Sequence, residues 1–309
     1  QARRRACADA RSGGEMEVLI QLALSGILLG GVYALGAMGL NLIFGVAKVV
    51  NFAHGEFLMI GMYAAFWLWK LAGLDPYWGA PLIFLAGAAI GVAFYLGLIR
   101  YTIYRSEMTQ VFATLGLSLV LQNLALMLFS ADYLTVQVFE PARESIALFG
   151  GHVSSTRLVS FLFAMAAMAL TMLFIKRTYM GKAIEAVSQD LSAARLVGIN
   201  INKTLAVAFA LGIGLTTLAG GVLIPSFYAY PSVGSSFVLI SFVVVVLGGL
   251  GNVAGTLAGG IILGLIETFV GYLEPDLKEA THFVLLILLL SFLPNGLFGV
   301  KGAEKEGLK

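Results

Sequence analysis

The sequence predicts an all-α, polytopic membrane protein with about eight or nine transmembrane helices, and three observations lead there. Only 12% of its 309 residues are charged, where a soluble domain carries roughly 25%. Hydrophobic residues make up 59%, and mean hydropathy is +0.93. These residues gather into long runs free of Asp, Glu, Lys and Arg, separated by short charged segments. That pattern excludes an ordinary soluble enzyme or a disordered chain. A net charge of +2 gives no footprint for nucleic acid. The single cysteine, Cys7, excludes an intramolecular disulfide, and His54, His152 and His282 lie too far apart for a sequence-local metal site.

A helix rising about 1.5 Å per residue needs about 20 apolar residues to cross roughly 30 Å of hydrocarbon. The runs Val18–Ala47, Phe57–Trp69, Pro76–Ile99, Met108–Ala131, Leu158–Ile175 and Ala280–Val300 each read as one crossing. Thr204–Ile266 is far too long for one and is punctuated by Pro225, Pro231 and the turn Gly248-Gly249-Leu250-Gly251-Asn252, so it divides into three. The predicted helices are 18–44, 56–71, 79–99, 109–130, 158–175, 204–224, 236–250, 253–272 and 281–297.

Lys and Arg in short loops set the orientation. Arg100 and Arg105, then Lys176, Arg177, Lys182, Arg195 and Lys203, then Lys301, Lys305 and Lys309 belong in the cytoplasm. The opposite loops are acidic on balance, with Asp132, Glu140 and Glu144 beside Arg143, and Glu274, Asp276 and Glu279 beside Lys278. Nine crossings join these assignments with the N-terminus outside and the C-terminus in the cytoplasm. Residues 1–15 carry four arginines on the wrong face for this scheme, and Met16 precedes the first apolar run. They read as an upstream extension, the alternative being a basic targeting stretch. The transmembrane domain is then 16–300, with a cytoplasmic tail at 301–309. Trp67, Trp69 and Trp78, with Tyr63 and Tyr77, gather at one boundary as an interfacial aromatic belt.

An internal repeat is visible. Tyr33-Ala34-Leu35-Gly36-Ala37-Met38-Gly39-Leu40 is echoed by Phe209-Ala210-Leu211-Gly212-Ile213-Gly214-Leu215, and Leu85-Ala86-Gly87 by Leu257-Ala258-Gly259. The matched helices run in opposite directions, which is an inverted repeat. In each half a polar, irregular stretch precedes a short helix: NFAHGEF at 51–57, and Pro225–Ser236. Irregular backbone at membrane depth is tolerated only inside protein or along a water-filled cavity. Paired interrupted segments are therefore either buried re-entrant turns or the lining of a transport route. The pathway candidates are Asn51, His54, Gly55, Glu56, Tyr228 and Tyr230. Asn51, His54 and Glu56 either relay protons or bond the open backbone at a helix break, with Gly55 giving room to turn. Glu267 is a further buried-charge candidate.

The segment 177–202 is too polar to cross. Ile184, Val187, Leu191 and Ala194 form one apolar stripe on a predicted helix that Gly198 and Asn200 end. Such a helix lies on lipid or docks on a protein, and the charged Lys182, Glu185, Asp190 and Arg195 on its other faces favour a protein. The only Gly-Lys pair, Gly181-Lys182, lacks a Walker loop's spacing, and there is no GxSxG or HExxH motif.

NFAHGEFLMIGMYAAF (51–66), MGKAIEAVSQDLSAARLVGIN (180–200) and VVVVLGGLGNVAGTLAGGIILGLIE (243–267) closely resemble LivH-type permease subunits of branched-chain amino-acid ABC importers. The resemblance runs from about Met16 to about Gly299. It implies a bacterial-type inner-membrane subunit that is no enzyme and carries no cofactor or metal. It also implies a homologous second permease, two cytoplasmic ATPase subunits that bind ATP and Mg, and an external substrate-binding protein. Gly181, Ile184, Glu185, Ala186, Val187, Asp190, Leu191, Ala194 and Gly198 would form the helix that couples to the ATPase. Relatives with a similar NxAHGEF stretch serve urea and short amides. A secondary transporter using His54, Glu56 or Glu267 as ion sites is the alternative from another class.

Overall fold

The computed structural model describes residues 2–137, 145–148, 151–293 and 296–298. Glu140, Arg143, Glu144 and the tail at 301–309 lie outside these described residues. The helices are α1 (Ala2–Ala47), α2 (His54–Ala72), α3 (Pro76–Thr102), α4 (Glu107–Phe129), α5 (Ser155–Arg177), α6 (Tyr179–Gln189), α7 (Leu191–Leu196), α8 (Ile201–Leu223), α9 (Val233–Gly248), α10 (Val253–Leu273) and α11 (Lys278–Phe292). Six are long and apolar enough to cross a membrane: Met16–Ala47 within α1, then α3, α4, α5, α8 and α10. The shorter α2, α9 and α11, of 19, 16 and 15 residues, complete a set of nine apolar helices among the described residues. Within α3, Tyr95–Ile99 forms a π-helical turn. Between α4 and α5 the chain adds a hairpin absent from the sequence reading: β1 (Ser145–Leu148) pairs antiparallel with β2 (Gly151–Ser154). Four-residue strands in a long loop carry too little periodicity to stand out from it.

The inverted repeat is the packing plan. The first half, α1 to α4, corresponds to the second, α8 to α11. Thus α1 packs along α10 while α3 packs along α8, and α1 crosses α8 at the pseudo-twofold centre. The glycines that revealed the repeat meet there: a side chain at Gly39 would collide with the backbone of Gly212, and one at Gly212 with the Gly39 carbonyl. Without water to drive apolar surfaces together, membrane helices associate by close van der Waals approach, which small residues allow. The α1–α10 seam follows this rule, Gly26 lying on Leu265 and Gly30 on Gly260 and Ile261. Asn41 ties the basic end of that seam. Its amide nitrogen donates to the Asn252 carbonyl at 2.9 Å and its Oδ1 accepts from the Gly251 N–H at 2.6 Å, satisfying the turn between α9 and α10.

The aromatic belt is only partly interfacial. Trp78 is 76% exposed, but Tyr63 stacks on Phe129 with ring centroids 4.3 Å apart, and the Tyr77 hydroxyl donates to the Thr156 carbonyl at 3.0 Å. Both tyrosines are buried, at 3% exposure each.

The seam makes a sharp expectation. Gly30→Val forces the α1 and α10 backbones apart, an overpacking cost of about 1–3 kcal/mol or more, whereas Gly116→Val on α4 enters open space. Thermal unfolding of the detergent-solubilised protein should show a lowered midpoint for the first and an unchanged one for the second.

Candidate functional site

The two interrupted segments meet inside the bundle. After Ala47 the chain turns back, with Lys48 at φ +52, and α2 begins at His54. The His54 Nε2 lies 3.1 Å from the Gly36 carbonyl oxygen, and Gly36 is about three turns, or about 16 Å, before the end of α1. So α2 starts near mid-depth. The second half does the same, because Gly55 rests on the Gly234 carbonyl at the start of α9, and a Cβ on either glycine would collide with the other segment. Two helix N-termini therefore face one another within the membrane-spanning region.

Asn51, His54 and Glu56 line that junction and are 0%, 0% and 1% exposed. Asn51 Oδ1 accepts from the Ala53 N–H at 3.1 Å, which turns the chain into α2. Glu56 stands in the first turn of α2, where the helix dipole favours a negative charge. Its Oε1 accepts from Ser118 Oγ at 3.1 Å and from Gln122 Nε2 at 2.7 Å. Its Oε2, beside Gly234, has no hydrogen-bond partner among the described residues, and neither do Asn51 Nδ2 and His54 Nδ1. The backbone-bonding reading thus accounts for two of the trio's six polar side-chain atoms, Asn51 Oδ1 and His54 Nε2; Glu56 Oε1 bonds side chains instead, and the other three are open.

Ser118 and Gln122 were not singled out by the sequence reading. They belong to a stripe on α4, Gln110, Thr114, Ser118 and Gln122, whose four-residue spacing places them on one helix face. Thr114 Oγ1 accepts from the Phe52 N–H at 3.3 Å, so the stripe also holds the re-entrant linker. Polar residues at a period of four in an otherwise apolar helix are the signal that finds them.

Beyond Gln122 a cleft of about 290 Å³ opens toward the end of α4, lined by Gln122, Asn123, Leu126, Tyr133, Tyr230 and Ser232 among others. Tyr230 lines it, its ring 5.0 Å from that of Tyr133. Tyr228 does not line it; it is 58% exposed, with its ring edge-on to Tyr133. Glu267 sits elsewhere. Its Oε1 pairs with Lys278 Nζ at 2.7 Å and accepts from the Tyr33 hydroxyl at 3.1 Å, while Oε2 meets His282 Nε2 at 3.2 Å. That network joins α1, α10 and α11.

At the basic end, 177–202 corrects two expectations. It is two helices rather than one, because Asp190 leaves the helical conformation and caps α7, accepting from the Ser192 and Ala193 N–H groups at 2.8 and 3.0 Å. The apolar stripe, moreover, is not a docking face. Ile184, Val187 and Ala194 are buried at 2–3% exposure against Leu42, Ile43, Leu205 and Phe209, with Leu191 packed at the edge. A lone amphipathic helix buries its stripe in whatever apolar surface is nearest, and the ends of α1 and α8 provide it. Gly181 makes the turn from α5 tight, since a Cβ there would meet the Ile175 and Phe174 carbonyls, and Gly198 at φ +85 ends α7. Ala186 is half-buried, whereas Lys182, Glu185, Gln189, Asp190 and Arg195 are exposed. Leu196 and Val197 are also exposed, at 88% and 77%.

An inverted repeat with paired interrupted helices meeting around buried polar groups defines a membrane transport protein. Residues 22–293 match the family described as the permease component of the branched-chain amino acid transport system, and the chain belongs to that family. It is 32% identical to the high-affinity branched-chain amino acid permease LivH of Salmonella typhimurium over 300 residues, 93% of this chain and 97% of that one. Identity to BraD of Pseudomonas aeruginosa is 32% over 305 residues, with the same coverage. A probable LivH of Methanocaldococcus jannaschii is 28% identical, covering 92% of each chain. The chain is therefore a multi-pass permease subunit of an ATP-driven importer, not an enzyme, and it works with ATPase and substrate-binding partners.

The inward-facing stripe separates two variants. Val187→Asp buries an unpaired charge, which costs several kcal/mol, and should increase proteolysis of the α6–α7 segment in the solubilised protein. Leu196→Asp, at an exposed position, should leave the digestion pattern unchanged.

Proposed function

We propose that this chain forms half of the translocation pathway for branched-chain or related amino acids, pairing with a homologous second permease. The observation that carries the reading is the mid-depth junction of α2 and α9, where Gly55 rests on Gly234 and Glu56 keeps one oxygen open. The contact is backbone to backbone, and a side chain on either glycine would separate the two helix starts. The amino-acid assignment draws on the relatives' names.

The α6–α7 segment serves in this reading as the ATPase-coupling element, with its exposed Lys182, Glu185, Asp190, Arg195, Leu196 and Val197 as the contact face. Its buried stripe is then a rigid attachment. A push on the exposed face passes through Ile184 and Val187 to Leu42 and Ile43 of α1. From there α1 carries it to Gly36, whose carbonyl His54 holds. The Lys and Arg bias puts this segment and the C-terminus in the cytoplasm and the N-terminus outside. ATP and Mg belong to the partner subunits.

Three measurements test the reading. In a Cys7-free background, Ser188→Cys should resist, and Ser130→Cys should accept, an impermeant thiol reagent applied from outside; labelling of both from outside overturns the orientation. Co-purification should recover ATPase subunits and a second permease with the wild-type chain, and Leu196→Asp should lose the ATPase at least tenfold while still inserting. Leucine uptake into liposomes holding the whole complex should require internal or external ATP on the ATPase side and no ion gradient. Uptake driven by an ion gradient without ATP would return the chain to the secondary-transporter class.

A further inference from the structure

The cleft at the end of α4 is lined by Leu126 and by the rings of Tyr133 and Tyr230. Gln122 also lines it, and its Nε2 donates to Glu56 Oε1 at 2.7 Å. Behind Gln122, then, lies a carboxyl group that is 1% exposed, held on one oxygen by two neutral donors, with its other oxygen unpartnered. A buried carboxyl group in a medium of low dielectric stays neutral unless a positively charged donor compensates it, and the arrival of such a donor favours its ionised form. Neutral amide and hydroxyl donors compensate it weakly, since hydrogen bonds from an ionised donor are roughly twice as strong. The cleft's volume of about 290 Å³ is at the small end of ligand sites. The aromatic faces suit both an ammonium group and a branched aliphatic side chain.

We propose that this cleft is an amino-acid subsite in which the substrate's ammonium group displaces the Gln122 amide from Glu56 Oε1 while its aliphatic side chain lies between Leu126 and the Tyr133–Tyr230 pair. The proposal rests on the amino-acid reading above and adds the group that recognises the substrate. Gln122 acts as a stand-in donor: its Nε2 sits at hydrogen-bond distance from the oxygen that an ammonium would take. Substrate binding then removes one of the two bonds by which α4 holds Glu56, the Ser118 bond remaining. The α2–α9 junction at Gly55 and Gly234 loses that brace as the substrate arrives, so occupancy of the cleft favours opening of the route beneath it.

Protection of a cysteine at the cleft mouth tests this in the assembled complex in lipid nanodiscs. In a Cys7-free background Ser232→Cys lines the cleft, and leucine should slow its modification by a small thiol reagent. Two probes of the same skeleton, 4-methylpentanoate without the ammonium and 3-methylbutylamine without the carboxylate, separate the contributions. The amine should protect and the acid should not. Glu56→Gln should remove protection by both leucine and the amine. Gln122→Ala should lower the leucine concentration for half-protection severalfold, because the competing donor is gone, whereas a merely structural Gln122 would leave it unchanged or raise it. Equal protection by acid and amine, protection surviving Glu56→Gln, or no protection in a complex that transports leucine overturns the subsite. If the wild-type complex transports no branched-chain amino acid at all, it is the substrate reading of the previous section that fails.

Discussion

Everything in this fold answers to one constraint, the requirement that non-helical backbone inside a membrane be sheltered and hydrogen-bonded by protein. Both halves of the chain break a helix and restart it near mid-depth, and each break depends on the other. The re-entrant linker is held by Thr114 of α4 and by the bond of His54 to the Gly36 carbonyl, and its restart at Gly55 is roofed by Gly234. The second break is anchored at its outer end by the Leu134–Ala229 bridge. Glycine at both restart points lets carbonyl and Cα approach where a side chain would hold the helices apart. The close seams of α1 with α10 and of α3 with α8 serve the same end, by fixing the frame in which two half-satisfied helix starts stay registered.

How much of this was legible in the sequence follows from the physics of each feature. Crossings were legible because charge is expensive in hydrocarbon, so charge-free runs mark them to within a few residues: 56–71 against His54–Ala72, and 253–272 against Val253–Leu273. The repeat was legible because the glycines at its centre cannot be replaced by larger residues without separating α1 from α8. The direction of the 184–194 stripe was not legible. Periodicity gives the existence of an apolar face, but whether that face meets a partner, lipid or the chain's own core depends on the tertiary neighbours. Of the site, Asn51, His54, Gly55 and Glu56 were found because they are adjacent in sequence. Ser118 and Gln122 were missed because their relation to Glu56 spans more than 60 residues, although their spacing on α4 marked them as unusual for a lipid-facing helix.

The burial of that stripe changes how force travels. A segment that docked on a partner through Ile184 and Val187 and only hung from the bundle by its ends would transmit little, because two flexible loops would absorb the displacement. Packed as it is against α1 and α8, and closed by the tight turn at Gly181 and the cap at Asp190, it moves only if those helices move. Its charged side chains and the Leu196–Val197 pair stay exposed on the other side. The proposed coupling to an ATPase uses this division of one short segment into an inward apolar face and an outward polar one.

Two buried carboxyl groups in the same membrane domain have opposite surroundings. Glu267 has both oxygens engaged, by an ammonium, a phenol hydroxyl and an imidazole drawn from two neighbouring helices. Its charge is compensated within the fold, and removing it would leave Lys278 and His282 without their counter-charge. Glu56 has neutral donors on one oxygen and none on the other, in a position where the chain has already accepted the cost of two open helix ends. Among the described residues no cation meets Glu56, so in the proposed subsite the substrate's ammonium group is the counter-charge.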